Sequence, residues 1–178
     1  LKTDELLKEL GNPDPHETAV LLFTSGTEKA PKGVPLTHSN VLSNIKSAIE
    51  HLGFTSKDVL FGILPPFHVF GFSFTHLLPL IIGCRVVFNP LLLELATVIR
   101  LINDYQVTMI CTAPTFLKAL VAMAKPGELD GVRSFIVGAE KAPPSLRDQL
   151  PKTSQLLEGY GMTECSPLVA LNHRSEEH

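Results

Sequence analysis

Phe23-Thr24-Ser25-Gly26-Thr27-Glu28-Lys29-Ala30-Pro31-Lys32-Gly33-Val34 places three hydroxyls, two glycines and two lysines directly after an apolar run. Glycine lets backbone N–H groups come close to an anion, hydroxyls add donors, and a lysine adds a mobile positive charge. A loop of this composition suits a polyphosphate. It does not follow the GxxxxGK[ST] pattern, because Pro31-Lys32-Gly33 stands where Gly-Lys-Ser/Thr belongs. In that pattern the lysine opens a helix, and Val34-Pro35 opposes one. A P-loop NTPase is therefore disfavoured.

Around the loop, apolar runs alternate with amphipathic stretches. Residues 19–24 are expected as a buried strand ending at the loop, and residues 33–36 as a second strand. Ser39 is the expected N-cap of a helix to about residue 51, with Val41, Leu42, Ile45, Ala48, Ile49 and Leu52 at helical spacing. Further strands are expected over 59–64, 85–88, 108–112, 134–137, 155–158 and 168–171. Helices are expected over 72–82, ended by Gly83, and over 92–103, 115–124 and 144–150. Continuous apolar strands alternating with helices predict an α/β fold with a largely parallel sheet flanked by helices on both faces. Ligands of such sheets sit beyond the carboxyl ends of the strands. Segments 24–32, 138–140 and 159–164 lie at such ends and are expected to share one crevice.

The length of 178 residues, with 44% apolar and 19% charged residues, fits one globular domain over residues 1–178, with no repeat or low-complexity tract. A formal charge of -3 and the lack of a basic stripe give no reason to expect nucleic acid. Cys84, Cys111 and Cys165 show no CxxC spacing, and reduced, mostly buried thiols of a cytosolic protein are expected. The most apolar segment, 69–82, is interrupted by Ser73, Thr75, His76 and Pro79 and is shorter than the roughly 20 residues a membrane span needs. No secretion signal is evident, and a chain opening on Leu1 is expected to be a piece of a longer one.

Thr24, Ser25, Gly26, Thr27, Pro31, Lys32, Gly33 and Val34, followed by Thr37-His38-Ser39-Asn40, resemble the phosphate-binding signature of the adenylate-forming superfamily. That superfamily includes acyl-CoA synthetases, nonribosomal adenylation domains and luciferases. Glu28-Lys29 departs from its usual Thr-Gly. The departure is similar to the subgroup of acyl–acyl-carrier-protein synthetases and acylglycerophosphoethanolamine acyltransferases. Gly159-Tyr160-Gly161-Met162-Thr163-Glu164 resembles the superfamily's adenine and metal motif, and Gly138-Ala139-Glu140 its adenine-contacting loop.

The resemblance implies ATP, Mg²⁺ and a thiol acceptor, either CoA or the phosphopantetheine of an acyl-carrier protein. It implies that Thr24, Ser25, Gly26, Thr27, Lys32 and Gly33 grip the leaving pyrophosphate. Tyr160, between Gly159 and Gly161, stacks on adenine. Thr163 binds the phosphate that stays with AMP, and Glu164 holds the metal. His68, in Pro66-Phe67-His68-Val69-Phe70-Gly71, completes the catalytic set by lining the carboxylate or acyl pocket. It is no general base, because carboxylates are ionised near pH 7. His38 and His76 are expected to be structural.

A fatty acid is the first-choice substrate, on the Glu28 variant, the apolar 70–74 region and the small Gly138-Ala139 pair. Aryl and amino acids stay open, as do a noncatalytic nucleotide-binding module and fusion to an acyltransferase carrying His-x-x-x-x-Asp elsewhere. The resemblance makes residues 1–178 the central part of the large N-terminal domain. A ribose-binding aspartate and a C-terminal domain with a catalytic lysine are expected downstream, so this segment by itself is expected to turn over poorly. The expected location is the cytoplasm, with peripheral attachment to the inner membrane left open for the full-length protein.

Overall fold

Period-two alternation in the central strands sorts their side chains into two cores. The computed structural model describes residues 14–24, 31–89 and 94–172. In chain order the elements begin with β1 (Thr18–Thr24), β2 (Lys32–Thr37), α1 (His38–Leu52) and β3 (Val59–Gly62). A π-helical turn (Gly71–Leu77) then leads into α2 (Leu78–Ile82), followed by β4 (Arg85–Phe88), α3 (Leu95–Asp104), β5 (Met109–Thr112) and α4 (Pro114–Met123). The rest comprises β6 (Ser134–Val137), a 3₁₀ segment (Pro144–Gln149), β7 (Gln155–Gly161), a 3₁₀ turn (Thr163–Cys165) and β8 (Leu168–Leu171).

The main sheet runs β4-β3-β5-β6-β7-β8, with every pair parallel except β7–β8. Val59 and Phe61, Ile110, and Phe135 and Val137 face one way and pack with Val98, Ile99 and Ile102 of α3 and Leu117 and Leu120 of α4. Their alternates Leu60, Met109, Cys111 and Ile136 face the other way, onto Val41, Ile45 and Ala48 of α1 together with Phe74 and Leu78. A parallel sheet covered on both faces needs apolar residues at consecutive positions, which is what these strands carry. The α/β expectation holds.

Several local expectations need correction. β1 and β2 form a separate two-stranded antiparallel hairpin, so β1 is not a buried strand. It turns only Leu22 fully inward and leaves Leu21 and Phe23 53% and 66% exposed. The α1 cap is Thr37 rather than Ser39. Thr37 Oγ1 accepts from Asn40 N–H and Asn40 Oδ1 accepts from Thr37 N–H, both at 3.1 Å, so two otherwise unsatisfied donors are paired reciprocally.

The helix expected over 72–82 starts as a π turn, with Gly83 closing it at φ 71°. Thr75 Oγ1 donates to the Gly71 carbonyl at 2.8 Å within that turn. The segment expected as a helix over 144–150 is 3₁₀. The expected start of the helix over 92–103 falls outside the described residues, as do residues 25–30 of the loop. Among the thiols only Cys111 is buried; Cys84 is half-buried and Cys165, on a polar turn, is exposed.

Polar side chains tie the amino ends of the parallel strands. Asp58, just before β3, accepts from Arg133 Nε at 2.8 Å and from Thr108 Oγ1 at 2.8 Å, the residues before β6 and β5. Ser154, just before β7, donates to the Val132 carbonyl at 2.7 Å. Burial pushes the Asp58 carboxyl up, but the hydrogen bonds from Arg133, Thr108 and Thr55 outweigh it and hold the group at about 2. A depressed carboxyl contributes stability that is whole above its ordinary 3.8 and is lost as pH falls through about 2.

Asp58→Ala is therefore expected to cost about 1.5–3 kcal/mol near neutral pH. In denaturant titrations, the gap to the parent protein should narrow as pH drops from 4 toward 2. A gap independent of pH would contradict the assignment.

Candidate active site

Parallel pairing brings the carboxyl ends of β6 and β7 to one edge, with Val137 opposite Glu158. The next residues, Gly138 and Gly159, therefore meet. A Cβ at Gly138 would lie 3.1 Å from the Gly159 carbonyl oxygen and 3.5 Å from the Phe70 ring. A Cβ at Gly161 would collide with the Pro167 carbonyl. Glycine is needed at Gly161 for backbone approach, while at Gly138 a Cβ would be a tight fit. Ala139 sits in the left-handed region at φ 71°, which costs a Cβ-bearing residue roughly 1–2 kcal/mol. Strain of this kind persists only where the surroundings hold the loop in place.

A cavity of about 250 Å³ opens at this edge. Gly138, Ala139, Gly159, Tyr160, Gly161 and Thr163 line it, together with His68 from the segment after β3. Its inner wall is apolar: Leu52, Val69, Phe70, Phe74, Ile136, Leu168 and Leu171. Phe70 and Phe74 meet edge to face with ring centroids 5.3 Å apart. The expected convergence of segments 138–140 and 159–164 is thus present, and His68 joins it.

Tyr160 is 66% exposed and borders both this cavity and a second, more polar cleft of about 510 Å³. Glu140, Lys141, Glu158 and Asn172 lie along that cleft. Glu140 is already engaged, since its Oε2 accepts from Thr115 Oγ1. Glu158 Oε1 accepts from the Ala142 N–H at 2.9 Å. His68 Nδ1 accepts from the Phe70 N–H at 3.2 Å, which places the proton of the neutral ring on Nε2. Burial lowers the His68 pKa, favouring that neutral form.

The hairpin reaches the same region from another side. Thr24 pairs with Lys32, so the two close the loop, while Ser25, Gly26 and Thr27 lie outside the described residues. Gly33 lies beneath Leu21 and Phe23, where a Cβ would stand 3.3 Å from Leu21 Cδ1. β2 packs against the Thr163–Cys165 turn that carries Glu164. Lys32 and Glu164 are both exposed, and neither lines the 250 Å³ cavity.

Asn44 of α1 locks this arrangement. Its amide donates to the carbonyls of Leu168 at 2.8 Å and Cys165 at 3.2 Å, and its oxygen accepts from the Leu168 N–H at 3.2 Å. An isolated asparagine on an amphipathic helix gives no local sign of such a role, and the sequence reading missed it. The set as a whole suits a magnesium nucleotide: an open aromatic face at Tyr160, small residues beside it, and the exposed carboxylate of Glu164. Mg²⁺ characteristically takes one or two carboxylates and fills its shell with phosphate oxygens and water.

Known proteins resemble the chain over most of its length. The chain is 31% identical over 163 residues to a long-chain-fatty-acid–CoA ligase of Bacillus subtilis, covering 88% of this chain and 29% of the ligase. It is 35% identical over 162 residues to a medium-chain fatty-acid–CoA ligase of Escherichia coli, covering 88% and 28%. Among solved structures, O-succinylbenzoate coenzyme A synthetase from Bacillus subtilis, in complex with ATP and magnesium ion, superposes with a TM-score of 0.81 at 30% identity. That match covers 92% of this chain and 34% of the synthetase. The chain thus spans about a third or less of the length of these proteins. With the AMP-binding enzyme family matching residues 2–178, the chain belongs to that family.

Proposed function

We propose that this chain forms the nucleotide- and acyl-binding core of an acid–thiol ligase that activates fatty acids through an acyl-adenylate. The observation that carries the reading is the crevice itself. An apolar cavity ends at His68, Gly138 and Tyr160, beside the turn that holds Thr163 and Glu164. A hydrocarbon tail is matched by the Phe70, Phe74, Ile136 and Leu168 walls, with its carboxylate at the polar end. The fatty-acid ligases among the relatives support the same substrate class.

In the first step a carboxylate oxygen bonds to the α-phosphorus of ATP. The bond to the β-phosphate breaks, and pyrophosphate leaves with the electron pair. In the second, a thiolate sulfur bonds the acyl carbon and AMP departs. The thiol belongs to CoA, or to phosphopantetheine on an acyl-carrier protein. Catalysis of such transfers is mainly positioning and charge stabilisation.

Lys32, with Thr24, Ser25, Gly26, Thr27 and Gly33, holds the departing pyrophosphate. Tyr160 stacks on adenine, bordered by Gly138, Ala139 and Glu140, and Thr163 donates to the phosphate kept in AMP. Glu164 holds Mg²⁺, which supplies charge neutralisation across the phosphates. His68 orients the carboxylate through Nε2–H. Residues 1–178 act as the central part of an N-terminal domain, in the cytoplasm, where ATP and CoA are available.

In the full-length protein, Lys32→Ala and Glu164→Gln are each expected to lower fatty-acid-dependent ATP–pyrophosphate exchange by about 10²–10³. Both side chains are exposed, so thermal stability should stay near that of the parent. Unchanged exchange in either variant would contradict its assignment. Burial lowers the His68 pKa below its ordinary 6.5, so the neutral ring predominates above that pH. The midpoint of any His68-dependent step in the exchange rate should therefore lie below pH 6.5. A step near pH 7 that vanishes in His68→Asn would overturn the neutral positioning role.

A further inference from the structure

Asn44 stands half-buried in the middle of α1, and its side chain reaches one distant loop. The amide nitrogen donates to the Cys165 carbonyl at 3.2 Å and to the Leu168 carbonyl at 2.8 Å, while the oxygen accepts from the Leu168 N–H at 3.2 Å. Leu168 opens β8, the edge strand of the main sheet. There the Asn44 amide takes the place of a neighbouring strand's peptide group, serving both the N–H and the C=O of one residue. Cys165 directly follows Glu164, so the clamp closes on the exit of the turn that carries Thr163 and Glu164. Within that turn the backbone bonds are local: the Cys165 N–H donates to the Met162 carbonyl and the Ser166 N–H to the Thr163 carbonyl. Local bonds fix a turn's shape, not its place against other elements. Asn44 supplies the place. Its helix is continuous with β2, since Thr37 ends that strand and caps α1, and β2 begins at Lys32 beside Thr24.

We propose that Asn44 is a positioning residue for the adenylation step, setting the Thr163–Glu164 turn against the hairpin that carries Lys32. This rests on the reading of Lys32 and Glu164 as the groups that face the nucleotide. Asn44 itself lines neither the 250 Å³ cavity nor the cleft beside Tyr160, so its influence on the reaction passes through the turn. The side-chain chemistry is specific. An amide brings donor and acceptor together; an aspartate of the same shape has no donor and would face two carbonyls, and a leucine of similar size pairs with neither. A shift of about 1 Å produced far from the reacting atoms can cost roughly 10²-fold in rate. Partners that orient a metal-holding group are typically worth about 10–100-fold in metal affinity or activity.

The test is a double-mutant cycle in the full-length protein, read by fatty-acid-dependent ATP–pyrophosphate exchange in Asn44→Leu, Glu164→Gln and the double variant. Leucine is similar in size and a better helix former, so α1 is preserved. Asn44→Asp, which keeps the shape and the acceptor but loses the donors, gives the same readout from a second substitution. Asn44→Leu is expected to lower kcat about 10–100-fold in the parent, but less than about threefold once Glu164 is already Gln, because groups acting as a unit are not additive. A simple loss of folded protein would instead lower both backgrounds by the same factor. Amide hydrogen exchange on the nucleotide-free protein gives a readout apart from activity: residues 162–170 should exchange about tenfold faster in Asn44→Leu, with 134–137 unchanged. Equal losses in both backgrounds, or parental protection over 162–170, would overturn the role of Asn44 while leaving Glu164 in place. Parental pyrophosphate exchange in Glu164→Gln would overturn both.

Discussion

Backbone-on-backbone contact at the ends of β6 and β7 is the constraint on which the site depends. Gly138 lies against the Gly159 carbonyl, and its N–H reaches the Thr112 carbonyl at 3.3 Å, so the ends of β5, β6 and β7 are drawn to one point. A side chain at Gly138 would meet the Gly159 carbonyl at 3.1 Å, so that carbonyl would have to give by a few tenths of an ångström. The cavity, the second cleft and the exposed ring of Tyr160 all border this contact. From there the strain at Ala139 and the Asn44 clamp become intelligible as parts of one arrangement.

The two edges of the sheet divide the labour. At the amino edge Asp58, Thr108, Arg133 and Ser154 fasten the strands by side-chain hydrogen bonds. At the carboxyl edge the strands are held instead by close glycine packing, which leaves polar groups free to meet a ligand. A scaffold rigid on one side and loop-built on the other is how positioned loops acquire chemistry. Leu171 of β8 packs into this edge: it pairs with Gly159, stands 3.5 Å from where a Gly159 Cβ would be, and lines the 250 Å³ cavity.

Much of this was legible in the chain. β4, β6 and β8 fall on their expected residues, because short, largely apolar runs bounded by polar, proline or glycine residues admit few readings. Tyr160, Gly138 and His68 were singled out, and one cavity gathers them. What escaped was set by long-range partners. The hairpin's separation from the main sheet depends on pairing β1 with β2, which apolar content does not specify. The Thr37 cap depends on an Asn40 side chain reaching back, where the eye falls on Ser39. Asn44 matters only through Cys165 and Leu168, more than a hundred residues away in sequence.

The most direct test is hydrogen exchange on the full-length protein with and without magnesium ATP, followed by mass spectrometry of peptides covering residues 18–37, 134–140 and 155–166. Nucleotide binding at one shared crevice predicts that all three segments slow together at the same ligand concentration, while the Asp58–Arg133 edge stays unchanged. Protection confined to one of the three, or appearing at different concentrations in each, would contradict a single nucleotide site.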